Sequence, residues 1–211
     1  MQGERIVFQG PGQVAVEPFT ISETDLGPYE VIVRTRKTLI SPGTELARLH
    51  GKLAFEDDTP PDYPMDIVGY ANIGDVIAAG DAMTVKPGDR VYTMANHASV
   101  ARVDSRHSLC VPVPDGLSDE RAVFVRLATV SMTTLVTTFA RPGDHVAVVG
   151  LGLVGNLAAQ VFQASGMKVD AFDLSPHRRD IANQVGIASV HDGDAMRDFD
   201  KTHRLVIEAT G

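Results

Sequence analysis

The sequence has little cysteine, no excess of basic residues and no long apolar run. Its single cysteine, Cys110, excludes an internal disulfide and is consistent with the reducing cytoplasm, where we expect the protein to reside. Acidic residues outnumber basic ones, 27 to 19, and no basic cluster occurs, so we expect no nucleic-acid partner. The amino terminus has no apolar core of signal-peptide length, and every apolar run is far shorter than a membrane span, so we expect no membrane association.

A glycine-rich stretch at 145–162, "HVAVVGLGLVGNLAAQVF", is the most informative segment of the chain. The apolar run 146–149 has the length of a buried strand, and Gly150, Gly152 and Gly155 follow it at GxGxxG spacing. Helical periodicity continues to a stop at Gly166. In such a unit the first glycine permits a tight turn, the second lets a phosphate approach the backbone, and the third lets the helix pack on the strand. A plain strand, turn and helix without a ligand is the alternative.

The second apolar segment, "KVDAFD", ends in Asp173, 23 positions after Gly150. An acidic residue near this position can accept hydrogen bonds from the adenosine ribose. Its charge would repel a 2′-phosphate and so favours NAD over NADP, although Arg178 and Arg179 leave that choice open. The residues predicted to bind the cofactor are Gly150, Leu151, Gly152, Leu153, Val154, Gly155, Asp173, Leu174 and Arg178.

The pattern of elements changes along the chain. Up to about Pro114 it consists of short strands between turns, which predicts an antiparallel barrel or sandwich. Along the chain, turns are expected at Pro42-Gly43, Pro87-Gly88 and Pro142-Gly143. A helix is predicted over 118–139, and strands and helices then alternate, with a weak third strand near 187–190 and a fourth at 205–208. We therefore expect a β domain over 1–122 and a nucleotide-binding domain over 123–211.

The fourth predicted strand is followed almost at once by Gly211, the last residue. A complete Rossmann domain has a second half that shapes the nicotinamide side of the crevice. We therefore expect either a truncated chain or a shortened form of this fold that serves another purpose.

Several motifs occur together in one order: "EVIVRTRKTLISPGTEL", "GYANIG", "VKPGDRV", "VPVPDGLSDERAV" and "RPGDHVAVVGLGLVG". In wording and order they resemble the medium-chain dehydrogenase/reductase superfamily, and they cover nearly all of the chain. The resemblance implies a GroES-like β-barrel domain followed by a Rossmann doubly wound parallel sheet, here only in its first half. The short motif "ISPGTE" resembles the branch that includes bacteriochlorophyllide dehydrogenase-like proteins.

The resemblance also implies which positions hold zinc in zinc-dependent members of that family. This chain has Ser41 where they have a cysteine, and Tyr70 and Ala71 where they have a histidine and a glutamate. The third position offers only Val125 or Arg126. Zinc prefers thiolate, imidazole or carboxylate ligands, and four structural cysteines are impossible here. We therefore predict a zinc-free protein with no metal ligands.

Without a Lewis acid, the developing oxyanion of a carbonyl needs a hydrogen-bond donor or an acid. The resemblance aligns Thr44 with a proton-relay hydroxyl of the family, and Ser41 and Tyr70 with former metal ligands, so we predict these three as catalytic residues. Tyr70 could instead only fill the vacated metal space, and Ser41 and Thr44 could serve a turn. His97 could be an acid or base, or have a structural role.

These observations lead to a zinc-independent NAD(H)-dependent oxidoreductase as the primary hypothesis. It would transfer a hydride between nicotinamide and an alcohol or ketone, or an activated alkene, with a small molecule as substrate. A truncated nucleotide-binding or partner-binding module without turnover is the alternative, and a remnant that binds no dinucleotide is a third. A homo-oligomer is expected only for a full-length form.

Overall fold

The computed structural model describes residues 1–52, 62–199 and 202–210. The chain forms two compact units, Met1–Val125 and Arg126–Gly211. The terminal Gly211, at which we expected the fourth strand to break, lies outside the described residues. No helix within the described ranges is long and apolar enough to span a bilayer.

The first unit is built mainly from antiparallel strands, as predicted. Its elements are β1 (Gln2–Gly10), β2 (Gln13–Thr20), β3 (Glu30–Thr38), α1 (Pro42–Leu49), β4 (Asn72–Ala79), β5 (Arg90–Thr93), β6 (Val100–Asp104), β7 (Cys110–Pro112) and α2 (Asp119–Ala122). Strands β1 and β2 form a hairpin, and a five-stranded sheet has the order β6-β3-β4-β5-β7. Fully buried valines, among them Val31, Val33 and Val91, form its core.

Helix α1 is a difference from the predicted pattern. Pro42-Gly43 was predicted to form a turn, and that prediction is wrong because Pro42 occupies the first position of a helix. Ser41 precedes it as the N-cap residue with extended backbone, φ −91° and ψ 101°. Proline suits this position because its fixed φ matches the helix and its missing N–H has no partner there. Helix α1 places Ser41 and Thr44 on one short element.

The helix predicted over 118–139 is divided into two. The first piece is α2, and the second is α3 (Val125–Thr137). Between them the amide of Phe124 donates to the carbonyl of Arg121 at 3.2 Å, the tighter spacing of a 3₁₀ turn. Ala122 and Val123 at this break are buried in a core cluster with Tyr92.

The second unit is a parallel sheet with helices. Its further elements are β8 (His145–Val149), α4 (Leu153–Ala164), β9 (Lys168–Asp173), α5 (Pro176–Gln184), β10 (Val190–Asp192), a 3₁₀ helix (Gly193–Phe199) and β11 (Leu205–Glu208). The strand order β10-β9-β8-β11 is that of the first half of a doubly wound sheet plus one strand beyond it.

The third strand of the parallel sheet is shifted from its predicted place at 187–190. It runs over Val190–Asp192, and Ile187 is instead a buried loop residue that packs beside Ala182 of α5. The apolar residues of this segment therefore belong partly to a loop that packs in the core and partly to the strand that follows it. The fourth strand lies at Leu205–Glu208, as predicted.

Candidate functional site

The turn between β8 and α4 can be built only with glycine at two of its three glycine positions. Gly150 has φ +91°, a conformation that L side chains rarely adopt, and a Cβ there would lie 2.7 Å from the carbonyl carbon and oxygen of Ala209. A Cβ on Gly155 would lie 1.9 Å from the carbonyl oxygen of Gly150. Helix α4 thus packs directly against the end of β8 through Gly155.

Gly152, the middle glycine, has a different environment. It is the N-cap residue of α4, with an ordinary φ of −62°, and a Cβ built on it would meet no described atom within 4 Å. The first intrahelical bond runs from the amide of Asn156 to the carbonyl of Gly152 at 2.9 Å, so the amides before Asn156 have no intrahelical acceptor. Open space therefore faces the positive end of a helix that can hold an anion.

Asp173 connects the glycine turn to the end of β9. Its carboxylate is 7% exposed; Oδ2 accepts the Leu151 amide at 2.7 Å, and Oδ1 accepts the Ser175 amide at 2.7 Å. The Arg178 guanidinium lies 3.5 Å from Oδ2. Burial raises the pKa of Asp173, but the two backbone hydrogen bonds and the charge of Arg178 outweigh it and hold the pKa below its ordinary value. Asp173 is thus a carboxylate at neutral pH that braces the turn, a role that we did not predict.

A cavity of about 650 Å³ opens beside Asp173 in the second unit, a size common for small-molecule sites. It brings together the predicted residues Gly150, Asp173, Leu174 and Arg178. The 3₁₀ helix contributes further walls that sequence reasoning missed, because no motif marks them: Gly193, Asp194 and Met196. The other predicted cofactor residues, Leu151, Gly152, Leu153, Val154 and Gly155, belong to the adjoining turn and the first turn of α4.

Arg179 is held by its own neighbours. Its Nη1 donates to the carbonyl oxygens of Asp173 at 2.7 Å and Leu174 at 3.0 Å, and it pairs with Asp192 at 2.8 Å. Arg178 is by contrast half-exposed at the cavity wall. Of the two arginines, Arg178 is therefore the more accessible one, and its only described ionic contact is the 3.5 Å approach to Asp173.

The three hydroxyl residues predicted as catalytic lie in the first unit. Ser41 is buried at the start of α1, where its amide donates to Oε1 of Glu45 at 2.9 Å. Thr44 is half-buried on α1, and Tyr70 packs against the cluster that contains Tyr92. No hydrogen bond within the described part of the chain joins these three hydroxyls to one another. Their catalytic role stays a prediction.

The described residues include no group of three or more His, Cys, Asp or Glu side chains arranged to hold a metal ion. They do contain one buried pair that consists of an acidic and a basic side chain. His97 Nε2 lies 2.7 Å from Oε2 of Glu45. His97 was considered from the sequence as an acid, a base or a structural residue, but Glu45 was not singled out, because its partner lies 52 positions away.

Comparison with known proteins places these features in context. No protein-family model matches the chain. It is 29% identical over 189 residues to the alcohol dehydrogenase of Geobacillus stearothermophilus, and the matched region covers 74% of this chain and 54% of that relative. It is also 29% identical over 200 residues to an L-threonine 3-dehydrogenase of Rhizobium etli, covering 80% of this chain and 56% of the relative. The chain thus spans just over half the length of these curated relatives.

Solved structures agree in fold over almost the whole chain. The alcohol dehydrogenase of a Thermus species gives a TM-score of 0.80 at 26% identity, covering 98% of this chain and 70% of that one. A dehydrogenase from Sinorhizobium meliloti bound to NADP gives 0.82 at 20% identity, covering 100% and 70%. An alcohol dehydrogenase from Escherichia coli complexed with NADH also gives 0.82, at 18% identity, with the same coverage.

The predicted fold class is confirmed: a GroES-like β unit is followed by part of a Rossmann unit. The chain therefore has its relatives and its structural neighbours among the medium-chain dehydrogenases and oxidoreductases, as its motifs predicted.

Proposed function

We propose that this chain provides the dinucleotide site of a zinc-independent, NAD(H)-dependent oxidoreductase. The proposed reaction is hydride transfer between nicotinamide and a small alcohol or ketone, or an activated alkene. The observation that carries the proposal is the turn at Gly150–Gly155, in which two glycines are required by packing and the third leaves open space before helix amides that have no intrahelical acceptor. The names of the relatives support oxidoreductase chemistry.

The residues present fit a bound dinucleotide. The amides from Gly152 to Gly155 would hold the diphosphate at the start of α4. Asp173 has remaining lone pairs that can accept ribose hydroxyls, and the cavity beside it has room for the adenosine. When bound, the nicotinamide would supply or accept the hydride.

We favour NAD over NADP because Asp173 is charged and its position is set by two backbone amides. A 2′-phosphate next to this carboxylate would meet a like charge at short range. Arg178 provides the one partly free cation on the described cavity wall. One solved structural neighbour is bound to NADP and another is complexed with NADH. Titration of this chain with both dinucleotides tests the preference, which predicts tighter binding of the form without the 2′-phosphate.

Asp173→Ala is expected to raise the dissociation constant of NADH about tenfold or more, because the turn loses its brace and the ribose loses an acceptor. NADH fluorescence titration measures the change. Asp180→Ala removes the same charge from the exposed face of α5 and is the matched control, expected to bind NADH as the wild type does. Equal affinity for NADH in Asp173→Ala and wild type would contradict the assignment.

The zinc-free proposal rests on the chemistry of Ser41, Tyr70 and Ala71 at the positions that hold zinc in the zinc-dependent family members. A serine hydroxyl, a phenol and a methyl group are poor zinc ligands. Elemental analysis of protein purified from zinc-supplemented medium is expected to show far less than one bound zinc per chain. A value near one, lost on chelation, would contradict the proposal.

In place of a metal, we propose that hydroxyls stabilise the developing oxyanion of the substrate. Thr44 and Tyr70 are half-buried, and Ser41 is buried, so each provides a donor in a setting of reduced dielectric. Tyr70 is the strongest acid of the three and is the proposed donor to the substrate oxygen. Ser41 and Thr44 are proposed to complete the hydrogen bonding.

A further inference from the structure

Glu45 and His97 form the most deeply buried pair of an acidic and a basic side chain among the described residues. The side chains are 4% and 3% exposed, and 2.7 Å separates Glu45 Oε2 from His97 Nε2. The pair joins α1 to the segment that precedes β6. Taking two such groups out of water is costly unless their hydrogen bonds are satisfied. The hydrogen-bond partners of each side chain therefore indicate where the protons of the pair lie.

Glu45 faces one backbone donor and one imidazole nitrogen. Its Oε1 accepts the Ser41 amide at 2.9 Å, and its Oε2 faces the imidazole. With the Ser41 amide on Oε1, a carboxylate here can accept a second hydrogen bond at Oε2, and the donor is then His97 Nε2.

The other ring nitrogen of His97 is buried and has no partner in the part of the chain that the structure describes. A proton resting on Nδ1 would be an unsatisfied buried donor, whereas a bare lone pair costs less. Neighbouring backbone holds the ring in place: the His97 amide donates to Val68 at 2.7 Å, and a Cβ on Gly69 would lie 2.8 Å from the ring. The resting state is therefore a neutral imidazole with a bare Nδ1.

His97 lines a cavity of about 240 Å³ in the first unit, which is large enough to admit several water molecules. Hydroxyls of Thr35, Thr38 and Ser99 share its wall. The charged residues of that wall are Glu4 and Arg5, and Arg5 already pairs with Asp66 at 2.6 Å. Glu45 is thus the carboxylate placed to balance a charge that develops on the imidazole.

We propose that Glu45 and His97 form a buried acid–base pair in which His97 Nδ1 is a proton-accepting site and Glu45 positions and stabilises the imidazole. The use of this proton rests on the proposed function. With a nicotinamide bound, oxidation of an alcohol would break its C–H bond, whose electron pair would leave as hydride, and the O–H electron pair would form the carbonyl. The proton released from the O–H bond would go to His97 Nδ1, and reduction would reverse each step.

Long-range proton–nitrogen NMR of the whole chain labelled with ¹⁵N-histidine tests the pair. The His97 signal is assigned by its loss in His97→Asn, and the wild type at pH 7.5 is expected to carry its proton on Nε2 with Nδ1 bare. Acidification is expected to add a proton to Nδ1. A resting proton on Nδ1, or a ring that never gains one before the protein unfolds, would overturn the proposal, and both are observed on the wild type once the signal is assigned.

Glu45→Gln keeps the shape of the side chain, removes its charge and replaces one of its two acceptor oxygens by an NH2 group. It is expected to lower the ratio of doubly to singly protonated His97 about tenfold or more at one fixed acidic pH, since the imidazolium loses its counterion. Glu4→Gln makes the same chemical change on the wall of the same cavity and is expected to shift it far less. Equal shifts in both variants would show that Glu45 has no special coupling to His97 and would overturn the pairing.

This outcome is separable from that of the proposed function. Glu45→Gln is expected to bind NADH as the wild type does, because the glycine turn belongs to the other unit. Failure of the wild type to bind NADH would defeat the proposed function and leave the NMR result on His97 standing. An unchanged His97 titration in Glu45→Gln would defeat the pair and leave the dinucleotide site standing.

Discussion

Gly155→Ala is expected to destabilise the second unit by about 3 kcal/mol. Alanine in a helix interior would ordinarily stabilise it, but here the added Cβ would lie 1.9 Å from the carbonyl oxygen of Gly150. Backbone faces backbone at this contact, so no side chain can rotate away, and α4 must move off the end of β8. Urea denaturation followed through the amide signals of β8 and β9 measures the loss.

Gly152→Ala is the matched control for that loss. It makes the same change three residues earlier, where φ is −62° and the new Cβ meets no described atom within 4 Å. Its unfolding midpoint is expected to stay close to that of the wild type. Equal stability of the two variants would show that α4 does not approach the turn as closely as the structure places it.

Gly152→Val is expected to keep the fold and to weaken NADH binding about a hundredfold. Its branched side chain would fill the open space through which a diphosphate reaches the helix amides, which removes one or two charge-assisted hydrogen bonds. The extended N-cap backbone, with ψ −174°, accepts a β-branched residue without strain. NADH fluorescence titration and a urea unfolding curve on the same preparation separate the two effects.

The size of the side chain provides the internal control. Gly152→Ala is expected to weaken binding less than Gly152→Val, because the methyl group obstructs only part of the space. Affinity that is the same in wild type, Gly152→Ala and Gly152→Val would mean that no phosphate approaches the main chain at this position.

Local patterns predicted the parts of the fold that depend on local physics. The β8–α4–β9 unit follows from an apolar run, helical periodicity and glycine spacing, all contained within 145–173. Ser175-Pro176 carries a local helix-start signal, a serine before a proline, and α5 begins at Pro176 with Ser175 as its N-cap residue. Ser41-Pro42 carries the same signal at α1, but the glycine at 43 led to the prediction of a turn. Here the capping pattern outweighs the Pro-Gly pair.

Features that depend on distant residues were not predictable from one sequence. The Asp173 brace needs an amide of the preceding turn, and the pairing of Glu45 with His97 joins segments 52 positions apart. The cavity wall from the 3₁₀ helix likewise depends on how the chain crosses from β10 toward β11. The chemistry of single residues was visible in the sequence, whereas their partners appeared only with the fold.

A proton–nitrogen correlation titration of the labelled chain with NADH tests the dinucleotide site most directly. The account predicts saturable shifts in the amides of Gly152, Leu153 and Val154, together with the Leu151 amide that Asp173 holds. The account would be contradicted if the amide signals of 150–155 did not shift at a high concentration of NADH, whether or not signals elsewhere in the chain shifted.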